Sequence, residues 1–110
     1  MPTAPTQTAA EFFRLLAHPA RVTLLEMLRE GERCVCELEV ALGQRQAYVS
    51  QQLAVLRDAE LVAVRRDGWR IFYRVTQPEV FRLIDAARAI TGEPRLVPVR
   101  TGGNRLPPAC

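Results

Sequence analysis

Apolar residues recur at the spacing of an α-helix through the first half of the chain. A first short amphipathic helix is predicted in AAEFFRLLA, and a second in HPARVTLLEMLRE. In the second segment Pro19 suits the first helical turn, and Gly31 lies just past the end. A third, short helix is predicted in VCELEVAL, ended by Gly43. The pattern therefore predicts three short helices before residue 44.

A longer fourth helix is predicted in RQAYVSQQLAVLRDAE, and its two faces differ. Val49, Leu53 and Leu56 recur at i, i+4 and i+7, so they are expected to face the core. The opposite face carries small and hydrogen-bonding side chains, which suit a groove better than a core: Ala47, Ser50, Gln51 and Ala54.

The period of the pattern changes to two in LVAVRRDGWRIFYRV. Alternating apolar residues over such a run predict β-strands, and Asp67-Gly68 between the two runs is a strong hairpin signal. We therefore expect a two-stranded ribbon after the fourth helix, with Arg65, Arg66 and Arg70 around its tip.

A last helix is predicted in PEVFRLIDAARAI, opened by Pro78. Its apolar stripe has two interpretations: packing on the protein's own core, or a dimer interface made with the first helix. We favour the second, because the preceding elements already form a compact unit. The residues predicted to form this interface are Phe12, Phe13, Leu16, Val80, Phe81, Ile84 and Ala87.

The length of 110 residues predicts one domain. A disordered, Pro/Thr-rich segment is expected at 1–8, the folded domain at 9–90, and a flexible Pro/Gly-rich tail at 91–110. The sequence contains no apolar run long enough to cross a membrane, and its start lacks the pattern of a signal peptide. We therefore expect a cytoplasmic protein, in which thiols stay reduced.

Positive charge concentrates in the second half of the predicted domain. The net charge of the chain is +3, and residues 44–75 carry six arginines against Asp58, Glu60 and Asp67. A helix, a tight turn, a second helix and a basic hairpin together predict a mainly α fold with a two-stranded β wing, a dimeric winged helix-turn-helix. An ordinary solvated helix beside a charged hairpin is the alternative, and the order of the elements disfavours it.

In such a fold the second helix of the motif enters the major groove of double-stranded DNA. Glutamine side chains suit adenine, and arginine suits guanine or a phosphate. Arginines of the wing would meet backbone phosphates or the minor groove. The residues predicted to contact operator DNA are Gln44, Arg45, Gln46, Ala47, Tyr48, Ser50, Gln51, Arg57, Arg65, Arg66 and Arg70.

Three segments resemble the ArsR/SmtB family of bacterial metal-responsive repressors. VSQQLAVLRDAELVAVRRDGWRIFYRV looks like its recognition helix and wing, LAHPARVTLLEMLREGE like its second helix, and RCVCEL like the metal-binding motif of its arsenic- and cadmium-sensing branches. The resemblance covers roughly residues 9–90. It implies a homodimer that binds a palindromic operator, represses a resistance operon and releases DNA when an inducer binds.

The sequence also departs from the family pattern. Gln52 stands where many members have His, and Glu39 where the arsenic repressors often have a third Cys. The cysteines of the cadmium sensors that precede this motif are missing, as is the Asp/His set on the last helix of the zinc sensors. His18 is the only histidine, and its place before Pro19 predicts a cap or turn residue. Zinc sensing is therefore disfavoured.

Cys34 and Cys36 form a close pair, and thiolates select soft ions. Arsenite and antimonite need two or three sulfurs and no imidazole, so As(III) or Sb(III) is the predicted inducer, with Cys110 as a possible third ligand. Cadmium and lead are less favoured. Ions with tetrahedral coordination bind four ligands, which one subunit cannot easily supply. No organic cofactor is expected.

Residues at i and i+2 of a regular helix point to different faces, so both sulfurs could hold one ion only if the start of the third helix is extended or distorted. We hypothesise that chelation unwinds this first turn and misplaces the recognition helices. A thiol redox or persulfide sensor of the same fold is the main alternative, with a bridge between Cys34 and Cys36 or between one of them and Cys110. An i, i+2 disulfide would be strained. A winged-helix module that never binds DNA is a third possibility. An enzyme is disfavoured, because no catalytic constellation is evident.

Overall fold

The computed structural model describes residues 8–94. Two short helices lead into a strand of two residues, which is followed by a helix pair, a hairpin and a last helix. The elements are α1 (Ala9–Leu16), α2 (Pro19–Met27), β1 (Arg33–Cys34), α3 (Val35–Leu42), α4 (Gln46–Asp58), β2 (Val62–Asp67), β3 (Arg70–Val75) and α5 (Glu79–Thr91). The predicted mainly α winged helix-turn-helix is confirmed.

Local capping explains where the first helices begin. The Thr8 hydroxyl accepts a hydrogen bond from the Glu11 backbone N–H, and the Glu11 carboxylate accepts one from the Thr8 N–H, both at 3.1 Å. This reciprocal pair satisfies two amides that a helix start otherwise leaves unpaired, so Thr8 caps α1. His18 caps α2 with extended backbone ahead of Pro19, as predicted.

The sheet has three strands, in the order β1-β3-β2, and all pairs are antiparallel. The prediction of a two-stranded ribbon missed β1, which pairs Arg33 with Tyr73 and Cys34 with Phe72. The predicted turn also shifts by one residue. Because Asp67 pairs with Arg70, the two residues at the end of the hairpin are Gly68 and Trp69, not Asp67 and Gly68.

Leucines from three helices form the centre of the core. Each has no exposed surface, and burying one such side chain stabilises the fold by about 1.5–3 kcal/mol. They are Leu24 and Leu25 of α2, Leu38 of α3, and Leu53 and Leu56 of α4. Val49 is equally buried, so the predicted inner face of the fourth helix is confirmed and α4 is held from one side only.

The last helix packs on its own protomer through two residues that were predicted to lie at the dimer interface. Val80 is 2% exposed and Ile84 5% exposed, so these two side chains belong to the core and offer no surface to a second subunit. Phe81 is partly buried against the same core. The stripe predicted to be surplus is therefore largely used, and a different face of α5, described below, remains exposed.

An ionic cluster joins α5 to α2. Glu26 is 3% exposed and Arg88 7% exposed, and their side chains form an ion pair. Arg29 donates to Glu26 at 2.7 Å and to Asp85 at 2.8 Å, and its guanidinium lies 4.6 Å from the centre of the Phe81 ring. Although burial alone would raise it, the pKa of Glu26 is lowered, because hydrogen bonds from Arg29 and Arg88 stabilise the carboxylate.

Candidate nucleic-acid interface and cysteine segment

A glycine makes the tight turn between α3 and α4 possible. Gly43 ends α3 with φ +69°, a left-handed conformation that a side chain would strain. The chain then extends through Gln44 and Arg45, and Arg45 occupies the position that begins α4. This short connection holds the two helices at a fixed angle, as a helix-turn-helix requires.

The outward face of α4 is polar and accessible. Most residues predicted to contact DNA lie on it or just before it, and all of the following are exposed: Gln44, Arg45, Gln46, Ala47, Ser50, Gln51 and Arg57. Tyr48 is only partly exposed. Because the first amides of a helix point outward and carry partial positive charge, the N-terminal end of α4 also favours an approaching phosphate.

Gln52 was expected to matter only as a departure from a family pattern, and the structure gives it a position in the core. It is 7% exposed, and its carbonyl oxygen accepts a hydrogen bond from Arg21 Nε at 2.8 Å. Arg21 Nη1 also donates to the Leu15 carbonyl at 3.1 Å. One guanidinium thereby joins α4 to the ends of α1 and α2, a connection that periodicity cannot reveal.

The predicted wing arginines divide between the two faces of the hairpin. Cross-strand pairs share a face, so the register puts Arg65, Phe72 and Arg70 on one face. Arg66 pairs with Ile71 on the other. The sequence prediction treated the three arginines as one group at the tip, whereas only two of them can approach a surface from the same side.

Arg65 already has a carboxylate partner. Its Nε and Nη2 donate to the two oxygens of Glu32 at 2.8 and 2.7 Å. This paired geometry lowers the pKa of Glu32 and raises that of Arg65. The Arg65 guanidinium also lies 4.6 Å from the centre of the Phe72 ring. A phosphate contact by Arg65 Nε and Nη2 would therefore require these atoms to release Glu32.

The cysteine pair lies where β1 passes into α3. Cys34 has extended backbone and occupies the position just before α3, and it is 1% exposed. Its N–H donates to the Glu37 carboxylate at 2.9 Å, which completes a capping box. Cys36 lies within the first turn of the helix and is partly exposed. The extended start that we required for two convergent sulfurs is thus present at Cys34 alone.

The described residues do not provide a ready ion site. Within 8–94, no three His, Cys, Asp or Glu side chains lie close enough together to hold a metal ion. Cys110, the predicted third ligand, lies outside that range. Cys36 is disulfide-bonded, whereas Cys34 keeps its thiol. A two- or three-sulfur site for As(III) or Sb(III) would therefore need a rearrangement of this segment.

An exposed polar recognition helix, the helix-turn before it and a basic hairpin after it define a winged helix-turn-helix protein. The model of the arsR family of bacterial regulatory proteins matches residues 18–64. The chain belongs to this family, also called ArsR/SmtB, whose members are transcriptional regulators and not enzymes.

Individual relatives agree with this assignment. The chain is 48% identical to the biofilm growth-associated repressor of Agrobacterium fabrum over 81 residues, 74% of this chain and 69% of that protein. The crystal structure of Rv0081 from Mycobacterium tuberculosis matches with a TM-score of 0.69 at 45% identity, over 76% of this chain and 84% of that one. The homodimeric winged helix-turn-helix domain Mb0332 from Mycobacterium bovis matches with a TM-score of 0.66 at 32% identity, over 76% and 78%.

Among residues 8–94, no helix is both long enough and apolar enough to span a membrane.

Proposed function

We propose that the protein is a homodimeric transcriptional repressor that binds operator DNA through α4 and the β2–β3 hairpin, and that thiol chemistry near Cys36 controls its release. The observation that carries the DNA-binding part is the two-sided nature of α4. Val49, Leu53 and Leu56 anchor one face without exposed surface, while Ser50 and Gln51 stand on the outer face. A rigid polar helix beside a basic hairpin is suited to a major groove and its flanking phosphates.

The dimer would use apolar surface that the protomer leaves uncovered. On α5, Leu83 is 38% exposed and Ile90 84% exposed, and Ala87 lies between them on the same stripe. Phe13 of α1 is 55% exposed. Of the interface residues predicted from the sequence, Phe12, Phe13, Leu16, Phe81 and Ala87 remain candidates. The homodimeric Mb0332 domain supports a dimer of this chain.

The position of the cysteine segment suggests how its chemistry could reach DNA. Cys34 belongs to β1, and β1 pairs with β3 through Phe72. The Arg65 and Arg70 guanidinium groups both lie against the Phe72 ring, at 4.6 and 5.7 Å. A displacement of this segment would therefore disturb the wing as well as the first turn of α3, which supports α4.

Two inducers are compatible with this position, and the geometry favours oxidation over metal binding. Cys34 is buried as a helix cap, and the described residues lack a third ligand, so As(III) or Sb(III) binding requires α3 to unwind. Disulfide formation at Cys36 requires only one sulfur of this pair. In that step the Cys36 thiol and a second cysteine thiol lose two protons and two electrons, and a peroxide is reduced to water. The disulfide form of Cys36 supports this candidate.

The experiment follows release of a labelled duplex from the protein's own promoter by fluorescence anisotropy, starting from reduced protein. Cys34→Ser and Cys36→Ser are matched variants, because each replaces only the sulfur atom by oxygen, and serine is also a good helix cap at position 34. If the protein is a redox switch, peroxide should release the duplex from wild type and from Cys34→Ser but not from Cys36→Ser. If the protein is an ion sensor, arsenite should release the duplex from wild type but from neither variant. Failure of the reduced protein to bind any duplex at low salt would overturn the DNA-binding proposal itself.

A further inference from the structure

The end of the hairpin carries a large apolar side chain in the open. Trp69 is 73% exposed, and it is the only tryptophan in the sequence. Gly68, the first of the two turn residues, has φ +67°, which is typical of tight hairpin turns that take glycine at this position. The backbone thus holds the indole ring at the outermost point of the wing.

The surface around Trp69 is cationic. The Arg70 guanidinium lies 5.9 Å from the centre of the indole ring and 5.7 Å from that of Phe72. Arg70 Nε is buried and has no hydrogen-bond acceptor within the described part of the chain. The hairpin as a whole carries four arginines against Asp67. An exposed aromatic side chain among arginines is complementary to a polyanion that also has apolar surface.

The position of the hairpin indicates which polyanion Trp69 would contact. The hairpin follows α4 directly and packs against α4, α3 and β1, whereas α5, with its exposed apolar face, packs against α2. A second copy of the chain would therefore cover Leu83 and Ile90 more readily than Trp69. With α4 in a major groove, the element that follows it meets the neighbouring minor groove, whose walls are sugars and phosphates.

We propose that Trp69 is a DNA-contacting residue that packs against the sugar–phosphate wall of the minor groove flanking each half-site, with Arg70 bonded to an adjacent phosphate. This inference rests on the proposed function and extends it. Because the contact is made to sugars, it reads the width of the groove and not the identity of the bases. It lengthens the operator beyond the base pairs that α4 reaches, and it favours A·T-rich flanks, whose minor groove is narrow.

Because Trp69 is the only tryptophan in the sequence, its fluorescence emission reports on this residue alone. Reduced protein is titrated with two duplexes of its promoter site: one ends at the edge of the half-sites, and the other extends by about half a helical turn, roughly 5 base pairs, at each end. Anisotropy of the labelled DNA reports binding, and tryptophan emission reports the environment of Trp69. We expect the emission to change only with the extended duplex. Trp69→Ala should weaken binding to the extended duplex by about tenfold and to the short one by less than twofold, with Trp69→Phe in between.

Several outcomes would overturn the inference. Saturated anisotropy with unchanged emission on the extended duplex would show that Trp69 stays in water while the proposed function stands. Equal affinity of Trp69→Ala and wild type for both duplexes would lead to the same conclusion. An emission change that depends on protein concentration without DNA would assign Trp69 to a contact between copies. Absence of any anisotropy change would overturn the proposed function, and this inference with it.

Discussion

The buried ion pair between Glu26 and Arg88 allows a quantitative test of how α5 is held. The side chains of the two residues are 2% and 7% exposed. Removing one partner of such a pair leaves an uncompensated charge and typically costs about 3–5 kcal/mol. We expect Arg88→Met to cost about 3 kcal/mol, at the low end, because Glu26 keeps Arg29. Glu26→Leu should cost about 4 kcal/mol, because the nearest other carboxylate to Arg88, that of Glu93, is 4.0 Å away and exposed.

A variant with both residues replaced shows whether Glu26 and Arg88 act as a coupled pair or contribute to stability independently. When both charges are replaced by apolar side chains, no uncompensated charge remains, so Glu26→Leu/Arg88→Met should lie within about 1 kcal/mol of the wild type. Arg29 still has Asp85 in that variant. The coupling free energy would then be about 6 kcal/mol, far above the few tenths seen for independent sites.

The assay is urea unfolding followed by far-ultraviolet circular dichroism, at one fixed protein concentration because a dimer's stability depends on it. Arg82→Met is the matched control: it makes the same substitution at an exposed position of the same helix and should change stability by less than about 0.5 kcal/mol. If the two single losses simply add in the double variant, or if Arg88→Met is as stable as the control, the charges are solvated and do not act as a buried pair.

Three further predictions follow from charges and exposed surface. The folded-state pKa of Glu26 lies below its ordinary value of 4.5, so the stabilisation by its carboxylate is complete above that value and is lost as the pH falls through the lowered folded pKa. Unfolding midpoints measured from pH 6 to 3 should therefore fall more steeply for wild type than for Glu26→Gln. Parallel curves for the two proteins would contradict this assignment. Glu32→Gln releases Arg65, so operator affinity should rise about two- to fivefold and the salt slope should steepen by about one phosphate contact in anisotropy titrations, whereas an unchanged slope would mean that Arg65 does not reach DNA. Ile90→Glu places a charge on the exposed face of α5 and should shift the protein to a monomer in analytical ultracentrifugation, with at least a tenfold loss of operator affinity; a dimer of unchanged stability would place the interface elsewhere.

The helices of the DNA-binding motif could be predicted from the sequence because their signals are local. The spacing of Val49, Leu53 and Leu56 identifies the buried face of α4 regardless of what it packs against. Gly43 marks the end of α3 because a left-handed residue is needed there. Such signals need only a few neighbouring residues, and the structure confirms them.

The sheet and the wing contacts could not be predicted in the same way. A strand of two residues, Arg33 and Cys34, is too short to show a period, and it exists only because β3 is there to pair with it. The Glu32–Arg65 ion pair depends on that same long-range pairing. Charge composition correctly indicates that the wing is basic, but it cannot show that one arginine already has a carboxylate partner.

The last helix shows a different limit. An apolar stripe predicts that a face will be covered, but it does not say whether the protomer or a second copy covers it. Val80 and Ile84 were expected at a dimer interface, yet they complete the core. The face that remains exposed includes Leu83 and Ile90, and it became identifiable only after the core residues were known. The predicted metal ligands, DNA contacts and domain limits remain predictions.

The three buried polar or charged residues in the described part of the chain, Glu26, Gln52 and Arg88, have a common role in orienting helices. Apolar packing has no preferred direction, whereas a hydrogen bond or ion pair in the core has a defined length and angle. Gln52 accepts from Arg21 and so fixes α4 against α2, and Arg88 pairs with Glu26 and so fixes α5 against the same helix. If α5 forms the dimer and α4 meets the DNA, then α2 is the element that sets the distance between two recognition helices. Half-sites lie about 34 Å apart on DNA, so a repressor needs that distance to be fixed, and directional contacts on both ends of α2 are a physical means of fixing it.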